Sequence, residues 1–246
     1  MKSTESKIKD MEIKPEEMMQ AGLHFGHSSS KTHPKMKEYI FGVRNTIHLF
    51  DVEKTIIKLK EALDFIGELT AEGKILLFVG TKVQAKELVK SAAIETKSPF
   101  VVDRWLGGTI TNFGIIKNRV EYFKDLERKK ATGELEKYTK KERLKLDEEL
   151  QKLQMKFGGI KEMSRTPDAI FVVDIKKEAS AVAEAKKKGI KIIGICDTHT
   201  DPTKIDYPIP ANDDAIPSIK YILDKVKNVI LNTKPKVEEK PKDDNN

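Results

Sequence analysis

Three short apolar runs, Ile75–Val79, Ala169–Val173 and Ile190–Ile195, constrain the fold more than any other feature of the chain. They are rich in residues that suit strands, and they are nearly continuous rather than alternating. A strand with one wet face alternates. A strand that is apolar along its whole length is covered on both faces, as in a parallel sheet between helical layers. Helical patterns follow the first two runs, over Lys82–Ile94 and Lys177–Lys188, and Gly189 stands where a helix C′ residue is expected. Residues 169–195 therefore read as one strand–helix–strand unit.

Upstream, Asp51 is placed to cap a helix running to about Glu72, with Ile56, Leu59, Leu63, Ile66 and Leu69 on one face and Gly73 as its stop. Tyr39–Phe41 and Ile47–Phe50 read as two short strands joined by a turn near Arg44-Asn45. Tyr207–Pro210 is held extended by its prolines, which predicts an edge strand, and a last helix spans about Asp214 to Leu231. The sum is an α/β sandwich with a mostly parallel sheet.

Residues 112–157 break this rhythm. Phe113, Ile116, Val120 and Phe123 form one narrow apolar stripe, and Leu146, Leu150, Leu153 and Phe157 form another. A turn over residues 131–134 separates them, and Thr139 with Glu142 makes a capping box for the second helix. The pattern predicts an inserted antiparallel helical hairpin of coiled-coil type. The segment carries 13 basic and 9 acidic residues, so it holds over half of the chain's formal charge of +7. From charge alone, the blander reading of a solvated helix pair stands ahead. The expected organisation is 1–107 as the first part of the α/β domain, 108–159 as the hairpin, 160–232 as the second part, and 233–246 as a disordered charged tail.

Charged residues make up 35% of the chain, against about a quarter in an average domain, and hydrophobic residues 38%. The positive balance suits a polyanionic partner without requiring one. Cys196 is the single cysteine, which excludes an internal disulfide and thiolate zinc sites of several cysteines. No apolar stretch reaches membrane-spanning length, and the N-terminus lacks a signal-peptide core, so a cytoplasmic protein is expected.

Catalytic patterns are weak. Gly80-Thr81-Lys82 follows a strand, but the phosphate loop needs two glycines flanking four residues and then Lys-Ser/Thr, whereas a single glycine precedes Thr-Lys here, and the dinucleotide fingerprint is absent too. A glycine serving turn geometry is the better reading, though backbone N–H groups at a helix start can hold an RNA phosphate. His24 and His27 are three apart, but Gly26 argues against a helix there, and no third ligand is set by spacing. His199 lies within Asp197–Asp201, where oxygen ligands for an ion are conceivable, but packed or hydrogen-bonded histidines are the expectation. Asp174, Asp197 and Asp201 end strands, where aspartate commonly caps the next helix. Neither a metal nor a cofactor is expected. The basic loop Ser28–Lys37 has three lysines and no acid, and Arg44-Asn45 and Arg104-Trp105 add arginines near aromatics. Such segments suit phosphate contacts and stacking on unpaired bases. Taken singly, each is an ordinary surface loop, and Trp105 reads as core.

Several segments, in order, resemble the bacterial small-subunit ribosomal protein two family. They are Met18–His27, Tyr39–Asn45 with Ile47–Asp51, Arg104–Phe113, Pro167–Asp174 with Lys177-Glu178 and Ala183–Ala185, Asp197–Asp201, and Asp206–Ile216. The resemblance runs from about residue 11 to 230. It implies a flavodoxin-like domain with an inserted hairpin, and a structural, non-enzymatic role in translation. It further implies binding to 16S rRNA as a monomer within the ribosome. Neighbouring small-subunit proteins are implied as partners, including the large mRNA-binding protein that family members help to anchor. The RNA-contacting residues it implies here are Lys31, Lys35, Lys37, Arg44, Lys82, Arg104 and Asn112, joined by Lys117 and Arg119 of the hairpin. The chain departs from the family's usual pattern at Ser28–His33, at Val83 and at Pro217, where cations or a ring are usual.

Overall fold

The apolar runs become the centre of a five-stranded parallel sheet. The computed structural model describes residues 13–234. Three strands lie where the runs predicted: β4 (Leu76–Val79), β6 (Ala169–Val173) and β7 (Lys191–Cys196). Every residue of β4 and β6 is buried, which is the physical reason their sequence does not alternate. β5 (Phe100–Val101) and β8 (Tyr207–Pro210) flank them, giving the order β5-β4-β6-β7-β8. Counted within the sheet, this is 2-1-3-4-5, the flavodoxin-like order, whose direction of winding switches between β4 and β6. The register aligns Phe78, Phe171, Ile193 and Tyr207 across four strands. β8 is the edge strand its prolines predicted.

A second, antiparallel sheet has the order β1-β3-β2, from β1 (Phe25–Ser28), β2 (Ile40–Arg44) and β3 (Ile47–Phe50). The turn between β2 and β3 falls at Asn45 and Thr46, both at positive φ (48° and 65°), one residue later than the sequence suggested. β1 and β5 were not visible in the sequence. β1 reads Phe-Gly-His-Ser with no apolar alternation, and β5 is two residues long. β2 and β3 pair antiparallel because so short a turn cannot join parallel strands, and they lie in a sheet apart from the parallel one.

Helices cover the main sheet in two layers. On one side lie α2 (Val52–Ala71), α3 (Val83–Glu95) and α7 (Ile216–Asn232), packed on Phe78, Phe171, Val173, Ile193 and Ile195, with the short α1 (Pro15–Gln20) beside them. Asp51 caps α2 by accepting from the N–H groups of Glu53 and Lys54. On the other side α6 (Ala179–Lys188) packs with Leu77, Val79, Ile170, Val172 and Ile192. Gly189 ends α6 at φ 69°. The strands thus send alternate residues into two cores, one on each face.

The inserted segment forms α4 (Phe113–Ala131) and α5 (Lys140–Phe157). Ile116, Val120, Phe123 and Leu126 of α4 are buried with Leu153 and Phe157 of α5, in the same cluster as Leu77 and Ile170. Lys130 reaches Asp147 across the pair at 2.7 Å. The predicted capping box is present: Thr139 accepts from Glu142 N–H, and Glu142 accepts from Thr139 N–H at 2.9 Å. Thr139→Ala should cost about 1 kcal/mol, read as a lower urea midpoint with unchanged m-value. Among the described residues, no helix is long and apolar enough to cross a membrane. From residue 235 onward the expected tail lies outside the described residues.

Candidate functional site

The carboxyl ends of the parallel strands gather a charged cluster at the switch point of the sheet. Lys82 follows β4, Asp174 follows β6, Asp197 follows β7, and Asp213 and Asp214 follow β8. The Lys82 ammonium lies 2.6 Å from Asp214, 2.7 Å from Asp213 and 3.4 Å from Asp174. Its side chain is only 12% exposed, and Asp213 is fully buried. Burial works against the ammonium, but the hydrogen bonds to Asp213 and Asp214 outweigh it and raise the lysine pKa. Burial, then the Asp197 and Asp174 carboxylates, push the Asp213 carboxyl up to about 7 against the pull of Lys82. Asp174 stands at φ 66°, a conformation aspartate tolerates, and its Oδ1 accepts from the N–H groups of Lys176 and Lys177. The helix-capping role expected of it is not what forms: Asp174 closes the turn over residues 175–178, the N-cap of α6 is Glu178 with no side-chain bond, and the Lys82 contact is added.

β1 brings a second set to the same edge. His27 Nδ1 lies 3.0 Å from Asp197 Oδ2, and His27 Nε2 lies 3.3 Å from Asp214. Gly26 permits this approach, because a Cβ there would sit 2.5 Å from the Thr198 side chain. The hydrogen bond to Asp197 raises the His27 pKa more than burial lowers it. His199 packs on His27 with ring centroids 4.3 Å apart, and burial followed by His27 lowers its pKa. Ligand atoms of His27, Asp197 and His199 lie within 4.8 Å of one another, as do those of Asp197, Asp213 and Asp214. Imidazole with carboxylate is a donor set that divalent ions accept. Of the histidine pair that the sequence offered, only His27 is in this set, and the two donors beside it, Asp197 and His199, come from a distant segment. His24 is not part of this set; its ring packs against Phe25.

A different carboxylate organises the loop ahead of α4. Glu184 of α6 accepts from Trp105 Nε1 at 3.0 Å, Gly108 N at 2.8 Å, Ile110 N at 3.1 Å, and Thr111 N and Oγ1 at 3.0 and 2.9 Å. Burial opposes the charge, yet these donors, Thr111 foremost, hold the carboxyl down at about 2. Loop 105–111 is thus wrapped around one anion, with Arg104 exposed at its start and Asn112 exposed at its end. Trp105 is core, as its sequence suggested.

The sequence-derived cations separate into two groups. Lys31, Lys37, Arg44, Arg104, Lys117 and Arg119 are exposed and make no ion pair among the described residues. Lys35 is exposed but tied to Thr203 at 2.8 Å and Asp201 at 3.4 Å. Lys82 differs from expectation: it turns inward, and three carboxylates absorb its charge. Gly80 is needed for close packing rather than for the turn geometry expected of it: its φ is not positive, and a Cβ would meet the Val89 side chain of α3 at 2.8 Å. The N–H of Thr81 is committed to Glu178 at 2.9 Å, which removes a donor a phosphate loop would need.

Residues 18–233 match the family model described as ribosomal protein S2. The chain is 50% identical over 209 residues to the small ribosomal subunit protein uS2 of Roseiflexus sp. (strain RS-1), covering 85% of this chain and 80% of that protein. A parallel sheet of flavodoxin-like order and a family match spanning most of its length point the same way: the chain belongs to the ribosomal protein S2 family, structural components of the small ribosomal subunit.

Proposed function

We propose that the chain holds 16S rRNA through its uncompensated surface cations, and that it acts by binding rather than by catalysis. The observation that carries this reading is the contrast among its basic side chains. Lys58, Lys86, Lys130, Lys191 and Lys227 each face an acid of the same chain. Lys31, Lys37, Arg44, Arg104, Lys117 and Arg119 do not, so their charge is available for phosphate. Affinity then comes mainly from neutralised phosphates, with the shape of the folded RNA selecting the place. Asn112 and Lys35 lie beside these cations and extend the contact. Lys82 is left out of it because its charge is already matched.

In this reading residues 108–159 act as a coiled-coil arm inserted in the body formed by 1–107 and 160–232, and the arm reaches between rRNA helices. The large mRNA-binding protein of the small subunit docks on the antiparallel sheet. Phe41 there is 81% exposed and Val43 beside it is exposed too, an apolar patch that suits a protein partner rather than phosphate. The chain works as a monomer within the ribosome, in the cytoplasm, with no cofactor.

Co-sedimentation with small subunits tests the reading. Binding should weaken steeply between low and physiological salt, with log affinity linear in log salt. Lys31→Glu with Lys37→Glu should lower occupancy by about tenfold at physiological salt. An association indifferent to salt overturns the electrostatic mechanism, and full occupancy by the double variant removes the loop from the contact.

A further inference from the structure

A cavity of about 420 Å³ opens beside the N-terminal turn of α6, next to the basic loop that carries Lys35. Ile175 and Val182 line it and are both 4% exposed, so it has an apolar floor. Lys176, Lys186 and Lys204 stand at its rim, all exposed. None of the three makes an ion pair among the described residues. The acid at the rim, Asp201, is already engaged by Lys35 at 3.4 Å and by Thr203 N and Oγ1 at 3.1 and 2.7 Å. The mouth is therefore cationic.

Two imidazoles complete the lining. His33 belongs to the basic loop and is fixed there by its backbone N–H donating to Thr198 O at 2.8 Å, by Lys35 N–H donating to its Nδ1 at 3.3 Å, and by its Nε2 lying 4.0 Å from Asp201. His199 offers a buried Nδ1 with no hydrogen-bond partner. His33 therefore offers chiefly its ring face, and His199 offers the unpartnered Nδ1 as a polar edge, which together match the face and edge of a nucleobase. The volume is that of a small-ligand site, not of a groove long enough for a helix.

We propose that this cavity takes one unpaired nucleotide of the small-subunit rRNA, with the base over Ile175 and Val182 against the two imidazoles. Its flanking phosphates fall to Lys176, Lys186 and Lys204. The inference rests on the rRNA-binding reading and adds a specific pocket to it. An acidic peptide would meet the same lysines, but it has no use for a compact apolar floor between two ring edges.

Ala183 lines the cavity on the exposed face of α6, so it can be changed without entering the core. Ala183→p-benzoylphenylalanine, carried by the full chain in small subunits, should crosslink on irradiation to one discrete rRNA nucleotide. The same probe at Lys37 is the companion arm. A crosslink from position 183 to a protein, or none at all, overturns the pocket while leaving the rRNA reading intact if position 37 still reaches RNA. Loss of RNA crosslinking at both positions overturns both.

Ala183→Trp fills the cavity and keeps its charges. Subunits carrying it should retain the protein, while the identified nucleotide gains about tenfold reactivity toward base-directed reagents, the scale of one lost stacking contact. Unchanged reactivity overturns the proposal. If Ala183→Trp melts early, Lys186→Ala with Lys204→Ala replaces it, with the same rise expected and the same outcome overturning it.

Discussion

Lys82→Ala is expected to lower folding stability by about 3–5 kcal/mol, the usual cost of removing one partner from a buried ion pair. The lysine stands among Asp174, Asp213 and Asp214. Asp213 is fully buried and its Oδ2 has no hydrogen-bond partner, so the protein offers little to replace the ammonium. Urea unfolding of the purified chain reads the loss as a lower midpoint. Lys82→Met combined with Asp213→Asn removes the buried charge on both sides and should recover much of it. A loss under 1 kcal/mol in the single variant would show that water or another cation compensates the carboxylates.

Glu184→Ala should cost about 3 kcal/mol and also release the loop ahead of α4. Five donors lose their acceptor at once, and those of Trp105 and Ile110 belong to buried residues that water reaches poorly. Glu184→Gln should lose most of the same energy, because its amide would turn a donor toward the N–H groups of Ile110 and Thr111. The pH dependence has a definite sign. The folded carboxyl titrates at about 2, below its ordinary value of 4.5. Its stabilisation is therefore fully present above about pH 4.5 and is lost as pH falls through about 2. The Gln variant lacks that contribution, so its deficit relative to wild type should shrink between those values. A deficit constant from pH 6 to pH 2 would place the effect in packing rather than in the carboxylate. With the loop loosened, occupancy of small subunits should fall too, because Arg104 and Asn112 are held at its two ends.

Several features of this fold were legible residue by residue. The unbroken apolar runs marked β4, β6 and β7 because strands buried on both faces have no position for a polar residue. Periodicity marked α2, and Asp51 and Gly73 marked its ends through local backbone chemistry. Thr139 and Glu142 announced their cap for the same reason. Such signals act within a few residues, so the order of the chain preserves them. β1 and β5 escaped because their pairing depends on strands elsewhere, not on any pattern of their own.

The cluster at the sheet edge could not be read in this way. Lys82 looked like one more exposed cation after a glycine turn, and nothing within ten residues of it names Asp213 or Asp214. His27 and Asp197 are 170 positions apart and meet only because β1 crosses the end of β7. Glu184 likewise sits on an ordinary helix, and its five donors arrive from a loop more than seventy residues earlier. The amino-acid order by itself determined the layers, most helices and the wealth of surface charge, since each follows from local burial and capping. The tertiary structure alone decided which charges are matched inside the protein and which remain for a partner, because electrostatic pairing depends on distance in space and carries no period along the chain.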